Sequence, residues 1–190
     1  AFNMIILGLA GNVGVAAYGV VANISLVAVA LFNGIAQGSQ PLISESYGKG
    51  RMHDVRYVVG LALKTAIGLA VLIIAAIYIW SDPIASIFNS EKNMELAAYA
   101  REGIRLYFLG FLFAGVNIIG TAALSAVEAV RWAFTASIMR GFVAILIFAF
   151  VLSVLFGMTG VWLAFPAAEL VTMILSVIGL KKSIAVSKTT

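Results

Sequence analysis

The sequence has no cysteine and a single histidine. Without thiols, these residues can build no disulfide scaffold, no thiolate metal site and no cysteine nucleophile. The lone histidine, His53, lies in a polar stretch between apolar runs. There is no His-Glu-x-x-His pair, and no serine inside an apolar run has a histidine base within that run. Charge is scarce as well: Asp, Glu, Lys and Arg make up 11% of the chain against 63% hydrophobic residues, with a mean hydropathy of +1.09. That balance lies far outside the range of water-soluble domains. Only three prolines interrupt the chain.

What fills the sequence is five apolar runs, at residues 16–44, 57–80, 103–127, 132–156 and 160–180. A helix rises about 1.5 Å per residue, so about 20 apolar residues cross a hydrocarbon core of about 30 Å with every backbone donor satisfied internally. The pattern predicts an all-α, polytopic transmembrane helix bundle with five full spans. Residues 1–10 are apolar but only about half the length of a span, and no cationic stretch precedes them to make a signal sequence. They read as the end of a sixth helix arriving from upstream.

Lys and Arg in short loops set the orientation of such a bundle. Lys49, Arg51 and Arg56 follow the first full span, Arg131 follows the third, and Lys181, Lys182 and Lys188 follow the last. The alternate connections are neutral at 11–14 and 157–160, and mixed at 82–105. The loop at 49–56 and the C-terminus are therefore expected in the cytoplasm. In the mixed segment, Ser81-Asp82-Pro83 can start a short external helix, since proline is tolerated in a first turn and a polar residue caps it. Its Ile84, Ile87 and Phe88 would lie on the membrane surface, and Asn89-Ser90 would end it.

Within the spans, polar residues are few and patterned. Asn33, Gln37, Gln40 and Ser44 fall on one helical stripe, beside a row of small residues, Ala30, Gly34 and Gly38, that would let another helix approach closely. Pro41 removes one backbone bond nearby. A second stripe carries Asn117, Thr121, Ser125 and Glu128. Two stripes on separate helices suggest a shared hydrated face. The plainer alternatives are amides tying helices together, at about 0.6 to 2 kcal/mol each, and hydroxyls bonding to their own helix carbonyls.

Glu169 lies near the middle of the last span, where a carboxylate costs at least about 2.5 to 3.5 kcal/mol on insertion scales. It must be neutral or paired there, and either state makes it a candidate proton carrier or cation ligand. Pro166 leaves the carbonyl of Trp162 without its helical donor, a second acceptor at similar depth. Lys64 and Arg140 lie about two turns inside their helices and are expected to snorkel to the headgroups. An Arg140–Glu169 ion pair looks strained, because a hairpin turning near Met158 sets the two residues apart by roughly 10 Å in depth.

The segment GIAQGSQPLISESYGKG at 34–50, with AAYGVVANI at 16–24, resembles the second half of multidrug and toxic compound extrusion (MATE) transporters. DPIASIF at 82–88, IIGTAALSAVEAVRWAF at 118–134 and GVWLAFPAAEL at 160–170 resemble later parts of the same half, in the same order. The resemblance implies that residues 1–190 are the C-terminal lobe, helices seven (partial) to twelve, of a two-lobe antiporter. It implies export of amphipathic or cationic organic compounds, coupled to proton or sodium influx, with the N-terminal lobe and membrane lipid as partners. The substrate and ion pathway would be lined by Asn33, Gln37, Gln40, Asn117, Thr121 and Glu169. No catalytic residue, resident metal, cofactor or nucleic-acid partner is expected.

One departure matters. Some sodium-coupled members carry acids on the seventh and tenth helices of this lobe, whereas here residues 1–10 hold only Asn3 as a polar side chain and 103–127 hold no carboxylate. Three other functions fit parts of the pattern. A lipid-linked oligosaccharide flippase of the same superfamily needs more cationic charge to hold pyrophosphate. A membrane-embedded enzyme lacks a histidine base, and a structural subunit leaves Glu169 unexplained.

Overall fold

The computed structural model describes residues 2–87 and 93–185. Helix α1 runs Phe2–Gly48, α2 Met52–Ile87, α3 Met94–Phe108, α4 Phe111–Ala126, α5 Val130–Ile138 and α6 Ala144–Ala185, with a π-helical turn at Met139–Val143 between the last two.

Two of these helices reverse direction at a single glycine. Gly11 has φ 59°, ψ −156° and Gly157 has φ 58°, ψ −134°, a region of backbone space that is essentially glycine's alone. The reversal at Gly11 brings Phe2 back onto Tyr18, their rings 5.2 Å apart. The neutral connections are thus shorter than the sequence suggests, for Gly14 and Gly160 are already helical and buried.

Phe2–Gly48, Met52–Ile84 and Val130–Ile184 are each apolar and long enough to cross a membrane. α3 and α4, bent by 45° at a short break, meet the same test only as a pair. Gly110 sits at that bend because a Cβ there would lie 2.5 Å from the Phe165 ring. Asn93 caps α3, its Oδ1 accepting from the Glu95 and Leu96 amides at 2.9 and 3.1 Å.

The expected external helix at Ser81-Asp82-Pro83 does not form as a separate element. Instead α2 continues through Pro83 to Ile87, because this end is tied down by side chains. Ser81 is buried and accepts from Arg105 Nε and Nη2 at 3.1 and 3.0 Å. Asp82 pairs with Arg101 at 2.5 Å. Ile84 packs against the core rather than lying on the surface. The expected turn at Asn89-Ser90, and Phe88, lie outside the described residues.

The core is a column of aromatic rings between small residues. Trp162 is fully buried and fits because Gly103 leaves room: a Cβ there would lie 2.8 to 2.9 Å from three atoms of its ring. Tyr107 stacks on Phe165 at 4.2 Å, and Phe32 on Phe111 at 6.1 Å. The outside is the reverse of a soluble protein's, with Leu26, Leu72, Ile79, Phe134, Phe150 and Val154 exposed. An apolar belt of this extent belongs in lipid. The Ala30, Gly34 and Gly38 row lies on the exposed face of α1, and a Cβ on either glycine meets nothing within 4 Å. Among the described residues, no helix makes the close approach that this row would allow.

Candidate substrate and ion pathway

A cleft of about 600 Å³ opens between α1, α4, the α5 to α6 segment and α6, with Tyr107 of α3 on its wall. Asn33, Gln37 and Gln40 line it from α1, Thr121 and Ser125 from α4, Arg140 from the π-turn and Glu169 from α6. The stripe spacing of α1 explains the first three: residues four and three apart share one helical face. Among the described residues, their amides have no protein hydrogen-bond partner, so they remain available to a ligand. Ser44 is exposed but does not line the cleft. Ser125 instead donates to the Thr121 carbonyl at 3.0 Å, the local back-bonding that hydroxyls in helices often make.

Asn117 does not line the cleft. It is fully buried behind it, where its Nδ2 donates to Glu169 Oε2 at 2.7 Å and to the Glu169 backbone carbonyl at 2.8 Å. Ser176 in turn donates to Asn117 Oδ1 at 3.0 Å. Both N–H donors of the amide and its carbonyl oxygen are therefore engaged. Ser176 was legible only weakly: it lies seven residues after Glu169, two turns along the same face.

Arg140 corrects an expectation. Rather than snorkelling, its Nε donates to Glu169 Oε1 at 2.7 Å. The anticipated depth mismatch assumed uniform α-helix, but Arg140 sits in the π-turn, which shortens and rotates its helix, and a long side chain closes the remainder. Glu169 is thus held at both carboxylate oxygens, one by a cation and one by an amide. The pair is asymmetric: the Arg140 side chain is 28% exposed and that of Glu169 3%. Among the described residues they are the only Lys, Arg, Asp, Glu or His on the cleft wall.

Trp162, whose carbonyl was expected to offer a second acceptor, is not on that wall. Among the described residues no group of three His, Cys, Asp or Glu could hold a metal ion. Lys64 is exposed on α2, away from the cleft.

The profile of the MatE family matches residues 1–151. The chain belongs to this family. Its members are transporters, not enzymes, and multi-pass membrane proteins. The multidrug export protein MepA of Staphylococcus aureus (strain bovine RF122 / ET3-1) is 26% identical over 161 residues, covering 84% of this chain and 34% of MepA. Among solved structures, an outward-facing multidrug resistance MATE family transporter of the MOP superfamily superposes on the whole chain with a TM-score of 0.92 at 17% identity. An inward-facing one gives 0.92 at 19%. The chain covers 42% and 44% of those two proteins, so it spans about a third to under half of the relatives it matches.

Proposed function

We propose that this MATE chain is the C-terminal lobe of a multidrug efflux antiporter, which exports amphipathic or cationic organic compounds against an inward flow of protons or sodium. The observation that carries the reading is the Arg140–Glu169–Asn117 cluster at the back of a cleft lined by unpartnered amides. Amides and aromatic rings suit organic cations of varied shape, since they offer polarity without fixed charge.

Coupling follows from the charge balance. While Glu169 is ionised, Arg140 is neutralised and the cleft wall is free of net charge. A proton or sodium ion taken up by Glu169 weakens the pair and leaves the part-exposed guanidinium facing the cleft. In a low-dielectric site that charge repels a bound organic cation, so ion uptake promotes substrate release. Alternating access would rock this lobe against an N-terminal one around the cleft, and the same fold in outward- and inward-facing relatives supports a lobe that moves as a body. The loop at 49–56 and the C-terminus would face the cytoplasm.

The flippase reading is weaker on this geometry. Pyrophosphate needs several free cations, and among the described residues Arg140 is the single one on the wall and already paired.

The test is ethidium efflux from cells expressing the full-length protein, wild type beside Glu169→Gln and Asn117→Ala. Wild type should export, Glu169→Gln should lose most coupled efflux, and Asn117→Ala should weaken it. No export by wild type removes the drug-efflux reading. Export unchanged by both substitutions removes the site.

A further inference from the structure

A second concavity lies between α2 and α6 and shares no lining residue with the cleft. Its volume is about 540 Å³. The walls are Val59, Leu63, Val177, Leu180 and Ile184, and two cations, Arg56 and Lys181, complete it. Val59, Leu180 and Ile184 form a buried floor within the lower core, whereas Arg56 and Lys181 are exposed.

The charges around it are unevenly matched. At this end of the bundle Lys49 pairs with Glu45, Arg51 with Asp54, and Lys182 lies 5.4 Å above the Trp132 ring. Arg56 and Lys181 have no acidic partner among the described residues; Arg56 Nε donates only to the Met52 carbonyl at 3.2 Å. Arg56 stands in the second turn of α2 and Lys181 in the penultimate turn of α6, so both sit where a crossing helix reaches the headgroups. Two unpaired cations at headgroup depth above an apolar trough match one kind of molecule: an anion with a hydrocarbon tail running along the helices.

The geometry points to a binding site for one anionic glycerophospholipid of the bilayer. The phosphate would lie between Arg56 and Lys181, and an acyl chain along Leu63, Val177 and Leu180. This rests on the placement of the chain in a membrane and not on the transport reading. Bound there, the lipid would join the start of α2 to the end of α6, two helices that touch only sparsely.

Native mass spectrometry of the full-length protein in detergent tests this, with phosphatidylglycerol or phosphatidylcholine of identical acyl chains added. Wild type should retain phosphatidylglycerol more strongly by on the order of tenfold, and Arg56→Gln with Lys181→Gln should bring the two lipids to parity. Equal retention by wild type, or a preference that survives in the double variant, overturns the site. If that variant fails to fold, wild type alone decides through phosphatidylglycerol with a photoreactive headgroup. Crosslinks should map to residues 52–63 and 177–184, and crosslinks confined to other segments overturn it.

Discussion

Asn117 places both hydrogens of its side-chain amide on Glu169, one on the carboxylate and one on the backbone carbonyl of the same residue. A single amide thus fixes the acid's side chain and joins α4 to α6 at a point sealed from solvent. Replacing it by alanine leaves a buried carboxylate oxygen without that donor and Ser176 without its acceptor. Asn117→Ala should therefore cost about 1 to 2 kcal/mol of stability, read as a lowered unfolding midpoint in detergent. An unchanged midpoint would show that the bond contributes nothing.

The ion pair between Arg140 and Glu169 should respond unequally to its two deletions. Removing Arg140 strands a carboxylate that is 3% exposed, whereas removing Glu169 leaves a guanidinium that is 28% exposed and can turn to water in the cleft. Arg140→Gln should then destabilise by about 3 kcal/mol, at the low end for a broken buried pair. Glu169→Gln should cost less, and the double variant less than Arg140→Gln alone. Unfolding of the three variants as a double-mutant cycle measures this. Equal single costs that add in the double variant would mean that the two side chains do not interact.

These two residues also show where sequence reading stops. Glu169 and Asn117 are conspicuous because each is a polar group at mid-span, and their chemistry is local. Their contact depends on the register of 111–126 against 158–185, which no local period encodes. Arg140 misleads for a related reason. A π-turn is invisible in composition, yet it re-aims the side chain into the cleft. Gly34 and Gly38 show the opposite failure, since small residues permit close approach without naming a partner, and here they face open space. The helical class and the stripe of Asn33, Gln37 and Gln40 were legible because both follow from periodicity and hydropathy alone.

Packing around Trp162 gives a sharper check on the core. A methyl group on Gly103 would sit under 3 Å from three atoms of an indole that is fully buried and hemmed by Tyr18. The ring has no free direction, so Gly103→Ala should destabilise by about 1 to 3 kcal/mol through overpacking. Gly68 on α2 is the control, exposed and with nothing within 4 Å of its added Cβ. Gly68→Ala should be neutral or stabilising by up to about 1 kcal/mol, the helix-propensity gain. Thermal unfolding of both variants decides it, and a tolerated Gly103→Ala would mean that the Trp162 site is looser than its geometry implies.

The absence of cysteine makes the proposed orientation directly measurable, because a single introduced thiol in this lobe has no background. Lys49 and Asp82 are suitable positions, at opposite ends of α2, with side chains 57% and 55% exposed. Each gives up only a surface ion pair, a loss of at most about 1 kcal/mol. Any cysteine elsewhere in the full-length protein is first replaced by serine. Basic residues cluster around Lys49 and mixed charges around Asp82, so the loop at 49–56 should be cytoplasmic. A membrane-impermeant maleimide added to intact cells should label Asp82→Cys at once and Lys49→Cys only after permeabilisation. The reverse pattern would turn the lobe over, moving the loop at 49–56 and the end of α6 to the outer face and inverting the direction of export assigned to the cleft.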